Sequence, residues 1–277
     1  MAKARSEWLL TAHLMMLPEN TLDGQVAIIT GGGTGLGRAM ALEFSRLGAR
    51  LVLASRSPEH LQPTVAEIVA QGGEAIAVST DVRDPAQVDR MVAAARETFG
   101  GVDILINNAA GNFIVKPEDL SPNGWRAVVD IVLNGTFFCS RAAGREMIAQ
   151  GRGGKIVSIL ATYAWHGGPG TVHSAAAKAG VLALTRTLAV EWAPHKIRVN
   201  AIAPGPIATE GAGSKLWATP EAQQRMVSNI PVGRIGRPQE IADAAAYLVS
   251  PFGDYINGEA LTIDGGEWLG RGFLALQ

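Results

Sequence analysis

The chain has 277 residues, 47% of them hydrophobic, which is enough to bury a sizeable core. A net charge of −1 offers no basic face, so nucleic acid is a poor partner. Cys139 is the only cysteine and reads as a small core residue; no disulfide can form, and the histidines, His166 and His173 among them, have no carboxylate or cysteine at metal-ligand spacing.

The chain opens on Lys3 and Arg5 before an apolar run, Trp8 to Leu17, and residues 1–20 read as an arm packed on the domain. No apolar run reaches the length of a membrane span. Gln25–Thr30 is a short apolar run ending in glycines, a first buried strand. Leu36, Met40, Phe44 and Leu47 carry helical spacing up to Gly48. Strands follow at Arg50–Ala54, Ala75–Ser79 and Ile104–Ile106, separated by helices over Glu59–Gln71 and Pro85–Phe99. A long helix is predicted over Gly124–Gln150, then a strand at Lys155–Ile159, a helix over Ser174–Trp192 and a strand at Arg198–Ala203. Ile207–Gly236 breaks this rhythm and reads as a lid over the substrate. A helix at Glu240–Leu248 and a strand at Ala260–Ile263 close the chain. Such alternation predicts an α/β fold: a single Rossmann-type, doubly wound parallel sheet of about seven strands with helices on both faces. Residues 21–277 are expected to form this one domain.

Thr30, Gly31, Gly33, Thr34, Gly35, Leu36 and Gly37 join the first strand to the first helix, with Gly31, Gly35 and Gly37 spaced G-x-x-x-G-x-G. Glycines there let the backbone approach a pyrophosphate, whose charge rests on the helix N-terminus. The second strand ends at Ser55 and Arg56. An NAD site usually places an acidic residue here; a guanidinium suits a 2′-phosphate, so NADPH (NADP) is the expected cofactor, with Arg38 as a helper. Asp81 and Val82 would flank an adenine, Asn108 and Ala109 a ribose, and Pro204, Gly205 and Ile207 the carboxamide. All lie at strand C-termini, the edge where such sheets bind ligands.

Lys178 would bind the nicotinamide ribose. Ser174 stands four residues before it, and Tyr163 fifteen. Carbonyl reduction on this kind of fold needs a phenol beside the carbon that takes hydride, so a phenol displaced to position 163 suggests other chemistry.

Together Thr30–Gly37, Asp81, Asn107–Gly111, Asn134, Lys178 and Pro204–Ile207 resemble the short-chain dehydrogenase/reductase family, from about residue 22 to 268. Two positions depart from its pattern. Ser174 stands where the family has its tyrosine, and its usual serine falls at Leu160 or Ala161. Asn108–Phe113, Ser174–Gly180 and Ala203–Ile207 are similar to the branch of NADPH-dependent 2,4-dienoyl-CoA reductases, as are Gly211–Leu216 and Asp264–Gly266. The resemblance implies an acyl-CoA substrate held by Tyr163 and Asn112, with Ser174 beside them and Lys215 on the CoA phosphates. It further implies reduction to a 3-enoyl-CoA in unsaturated fatty acid degradation, and a homotetramer built through helices near 124–150 and 174–192. Asn134 would support Lys178, and Phe113 and Ser121 would touch substrate. Trp165 reads as a loop or interface anchor, His173 as a packing or surface residue. The expected compartment is the cytoplasm. Alternatives are another NADP-dependent enoyl or carbonyl reductase, or a non-catalytic NADP-binding protein.

The chemistry fits that resemblance. Hydride adding to C5 of a 2,4-dienoyl thioester drives charge along the conjugated chain to the thioester oxygen, four carbon–carbon bonds away. The donors that receive this charge must therefore sit farther from the nicotinamide than in a ketone reductase.

Overall fold

The computed structural model describes residues 17–209 and 219–269. Seven parallel strands form one sheet: β1 (Val26–Thr30), β2 (Arg50–Ser55), β3 (Ala75–Ser79), β4 (Ile104–Asn107), β5 (Gly154–Ile159), β6 (Ile197–Pro204) and β7 (Ala260–Ile263). Their spatial order is β3-β2-β1-β4-β5-β6-β7. The order reverses between β1 and β4, and such a switch point opens a crevice at the strand C-termini. The helices are α1 (Gly35–Arg46), α2 (Pro58–Ala70), α3 (Pro85–Phe99), α4 (Pro122–Val129), α5 (Gly135–Gln150), α6 (Tyr163–His166), α7 (Val172–Glu191), α8 (Pro220–Ser228) and α9 (Pro238–Val249).

The strands read as continuous apolar runs because both faces of the sheet are covered. Along β1, Ala27 and Ile29 face one core with Met40 and Phe44 of α1 and Ile241 and Ala245 of α9. Val26 and Ile28 face the other, with Met91 of α3, Cys139 and Met147 of α5 and Leu188 of α7. Alternate strand residues point to opposite faces, so one strand serves both layers. Burial pushes the Cys139 thiol up to about 12, so it stays a protonated, inert core group.

Three departures from the expected elements have local causes. The helix expected over Gly124–Gln150 begins two residues earlier, where Ser121 Oγ accepts the Gly124 N–H at 3.0 Å and Pro122 occupies the first turn. That helix is also interrupted by a five-residue π-helical turn, Asp130–Asn134, in which the Gly135 N–H bonds the Asp130 carbonyl. A second departure is α6, one helical turn inside a stretch with no helical periodicity. The third is α8 within the expected lid, opened by Pro220. The N-terminal arm as far as residue 16, and residues 210–218 of the lid with Gly211–Leu216 and Lys215, lie outside the described residues.

Phe44 is fully buried between α1 and the sheet. Phe44→Ala is expected to lower unfolding free energy by about 3–5 kcal/mol, read from urea midpoints.

Candidate active site

The turn after β1 is glycine by necessity. A Cβ on Gly37 would lie 2.0 Å from the Gly31 carbonyl oxygen, and one on Gly33 2.1 Å from the His60 carbonyl oxygen. Both are backbone atoms, which cannot swing aside. Gly31 also takes a φ of +66°, in the left-handed region. Thr34 precedes α1 without a side-chain cap, which leaves the first-turn N–H groups free to meet an anion. Thr30 and Asn108 face inward, however. Thr30 Oγ1 accepts the N–H groups of Asn108 and Ala109, each at 3.0 Å, and Asn108 Nδ2 donates to the Thr30 carbonyl at 3.0 Å. These bonds lock the glycine turn to the end of β4, so Thr30 and Asn108 shape the site through the backbone.

A cleft of about 670 Å³ runs along the strand C-termini from this turn. One arm reaches Ser55, Arg56, Asp81 and Val82; the other reaches Leu160, Ala161 and Tyr163, with Pro204, Gly205 and Ile207 opposite. Arg56 is exposed and lines the cleft. Asp81 is already held by Arg83, whose guanidinium keeps its carboxyl below the usual carboxylate range. Arg38, an expected helper at a 2′-phosphate, instead pairs with Glu67 of α2. The Ser55 hydroxyl donates to the Ser57 carbonyl at 2.9 Å.

Where the other arm ends, α6 sets Tyr163 against α7. Tyr163 Oη lies 3.0 Å from Ser174 Oγ. Desolvation raises the phenol's pKa, and the Ser174 bond offsets this in part. The ring therefore stays protonated and able to donate at neutral pH. One turn along α7, Lys178 is almost wholly buried, with Nζ bonded to the Ile159 carbonyl. Among the described residues no carboxylate balances it, and burial lowers its pKa to about 8. No hydroxyl stands at Leu160 or Ala161.

The remaining candidates lie outside this cluster. Asn134 Nδ2 bonds Asp130 Oδ1 at 2.8 Å across the π-helical turn, and Lys178 bonds a strand carbonyl instead. Asn112 is exposed, is not among the cleft-lining residues, and accepts its neighbour Phe113's N–H at 2.9 Å. Its loop nonetheless rests on the segment leading into α7. The Phe113 ring meets His173 edge-on at 4.5 Å, and the Val115 N–H bonds the Gly170 carbonyl at 3.0 Å. His173 is fully buried, as a packing residue would be, but neither ring nitrogen has a partner among the described residues. Ser121 caps α4 and does not line the cleft. Reasoning from sequence missed His166, Thr209, Met226 and Glu267, all of which line it. Spacing along the chain carries no signal for Thr209, Met226 and Glu267, which the fold brings to the cleft, whereas His166 follows Tyr163 by three residues on α6.

A dinucleotide is the ligand this cleft suits, its pyrophosphate at the glycine turn and its two ends in the two arms. A family model described as enoyl-(acyl carrier protein) reductase matches residues 31–267. A Bacillus subtilis protein named a probable 2,4-dienoyl-CoA reductase, (2E)-enoyl-CoA-producing, is 51% identical over 90% of this chain and 98% of its own length. The Rattus norvegicus peroxisomal 2,4-dienoyl-CoA reductase, (3E)-enoyl-CoA-producing, is 42% identical over 93% of this chain and 88% of its own. A crystal structure of a short-chain dehydrogenase from Bacillus anthracis matches with a TM-score of 0.82 at 48% identity, covering 92% of this chain and 98% of that one. A crystal structure named a putative 2-deoxy-D-gluconate 3-dehydrogenase, from Agrobacterium tumefaciens with bound NADP, matches with a TM-score of 0.84 at 37% identity, covering 91% of this chain and 100% of that one. The chain belongs to the short-chain dehydrogenase/reductase family and binds a nicotinamide cofactor.

Lys178 gives the site a pH signature. Below about pH 8 folded and unfolded chains both carry its proton, and the burial cost is fully felt. Between pH 8 and its ordinary value of 10.5 the folded chain sheds the proton first. The unfolded chain then binds more protons, so stability rises with pH across this window. Urea midpoints of the cofactor-free protein are expected to carry that upward contribution, and Lys178→Met to lack it.

Proposed function

We propose that this chain is an NADPH-dependent 2,4-dienoyl-CoA reductase acting in unsaturated fatty acid degradation, with a 3-enoyl-CoA as product. The observation that carries the reading is the position of the phenol. Tyr163 meets the cleft from α6, hydrogen-bonded to Ser174, while Ser174 occupies the place of the family's usual tyrosine. The names of the Bacillus and Rattus relatives support the same substrate.

Bound NADPH supplies the hydride that adds to C5. Tyr163 then donates its hydroxyl hydrogen to the thioester oxygen as charge arrives there; desolvation, which keeps the phenol neutral, makes it a donor rather than an anion. Ser174 fixes the direction of that hydroxyl. Lys178 binds the nicotinamide ribose, and its charge favours the dienolate. Asn112 is the second donor, once its loop turns inward from its rest on His173 and Gly170. Asn134, bonded to Asp130, braces the π-helical turn against which α7, the helix that carries Lys178, packs. Gly31, Gly33, Thr34, Gly35, Leu36 and Gly37 hold the pyrophosphate, and Arg56 the 2′-phosphate. Phe113 and Lys215 are assigned to the acyl-CoA, while Ser121 caps α4 outside the cleft lining and reaches substrate only if the acyl-CoA extends beyond it. The two relatives differ in the product their names print, and protonation at C2 rather than C4 is what gives the 3-enoyl isomer. A homotetramer and a cytoplasmic place of action, both expected from sequence, belong to this proposal. No helix among the described residues is long and apolar enough to cross a membrane.

NADPH absorbance should fall with 2,4-hexadienoyl-CoA and not with a simple ketone; turnover of the ketone alone would remove the reading. Tyr163→Phe is expected to lose ~10²–10³ in kcat, the usual effect of removing one oxyanion donor. Arg56→Ala is expected to weaken NADPH about tenfold to a hundredfold while NADH binding holds, read by cofactor fluorescence titration.

A further inference from the structure

Two titratable groups of the cleft have no role above, and the fold clamps together the segments that carry them. His166 ends α6, three residues after Tyr163 and so on the same face of that turn. Glu267 follows β7, and both side chains line the cleft. Their sequence neighbours, Trp165 and Trp268, stack with ring centroids 5.7 Å apart and planes 26° from parallel. Trp268 is itself fixed, because Asp264 accepts the N–H groups of Gly266 at 2.8 Å and of Trp268 at 2.9 Å. The stacked indoles thus register α6 against the turn after β7, and both segments contribute a titratable group to the cleft lining. The other titratable groups of the cleft are placed differently. Arg56 and Asp81 follow β2 and β3, across the sheet from β5 and β7. Tyr163 is desolvated and a poor acid. From α7, which packs on α6, come His173 and Lys178, both buried.

We propose that His166, on the same turn of α6 as Tyr163 and lining the same cleft, is the acid that protonates the dienolate at C2. This rests on the dienoyl-CoA reading and supplies the proton donor it lacks. The imidazolium N–H bond breaks and its electron pair stays on nitrogen. The C1=C2 pair of the dienolate forms the new C–H bond, while the oxygen lone pair restores the thioester C=O and C3=C4 remains. The exposed imidazole regains its proton from water. C2 is the carbon within reach because it is two bonds from the oxygen that Tyr163 holds, whereas C4 adjoins the carbon that takes hydride. Among side chains, histidine is the one suited to give up a proton near neutral pH.

The test is the pH–rate profile of the unaltered protein, His166→Gln and Glu267→Gln with NADPH and 2,4-hexadienoyl-CoA, with product isolated from D₂O. The unaltered protein should lose rate as rising pH deprotonates His166, and should carry deuterium at C2 of a 3-enoyl product. His166→Gln should lose ~10²-fold or more in kcat, lose that alkaline limb and bind NADPH unchanged by fluorescence. Glu267→Gln should keep both the limb and the deuterium at C2, since the carboxylate is not the acid. Added imidazole should restore rate to His166→Ala. Deuterium at C4, or a His166→Gln protein with the unaltered rate and profile, overturns the assignment. A failure of the unaltered protein to oxidise NADPH with the dienoyl-CoA would instead sink the functional reading beneath it.

Discussion

The 3.0 Å contact between Tyr163 and Ser174 ties a single-turn helix to the long helix behind it, and the rest of the site is arranged around that contact. Two glycines at positive φ, Gly167 and Gly170, lie between α6 and α7 and turn the chain from one to the other. The hydrogen bond fixes which way the phenol points when it enters the cleft. Without it the ring would hang from one helical turn with no second anchor for its hydroxyl. The position differs from residue 174 by a helix, and that offset separates a donor beside the hydride carbon from one placed for the far end of a conjugated chain.

Burial then sets the charges. Tyr163 and Lys178 are each desolvated, and desolvation acts on them in opposite senses, keeping the phenol neutral and making the ammonium easier to discharge. Each is held by a neutral oxygen: a serine hydroxyl for the phenol, a backbone carbonyl for the lysine. A carboxylate at either place would have neutralised the positive field that favours an enolate.

Much of the fold was legible because its signals are local. Strands read as apolar runs, helices carried their spacing, and glycine and proline marked the ends. The glycine turn was legible for the same reason, since backbone contacts of 2.0–2.1 Å leave room for no other residue. What stayed hidden depends on contacts distant in sequence. The π-helical turn at Asp130–Asn134 keeps helical periodicity on either side and differs by one residue in its hydrogen bonding. Arg38 reads as a phosphate ligand until Glu67 of α2 is seen beside it. Ser121 reads as a loop hydroxyl until it is seen to cap α4. Trp165 and Trp268 are 103 residues apart, so nothing in the chain itself announces their stack.

A structure with NADP and a 2,4-dienoyl-CoA analogue tests most directly whether Tyr163 serves the far end of the acyl chain. Its hydroxyl is expected at about 2.7–3.1 Å from the thioester oxygen, with Ser174 still bonded to it. A thioester oxygen bound elsewhere, with the ring of Tyr163 turned out of the cleft, would contradict the role given to the displaced phenol.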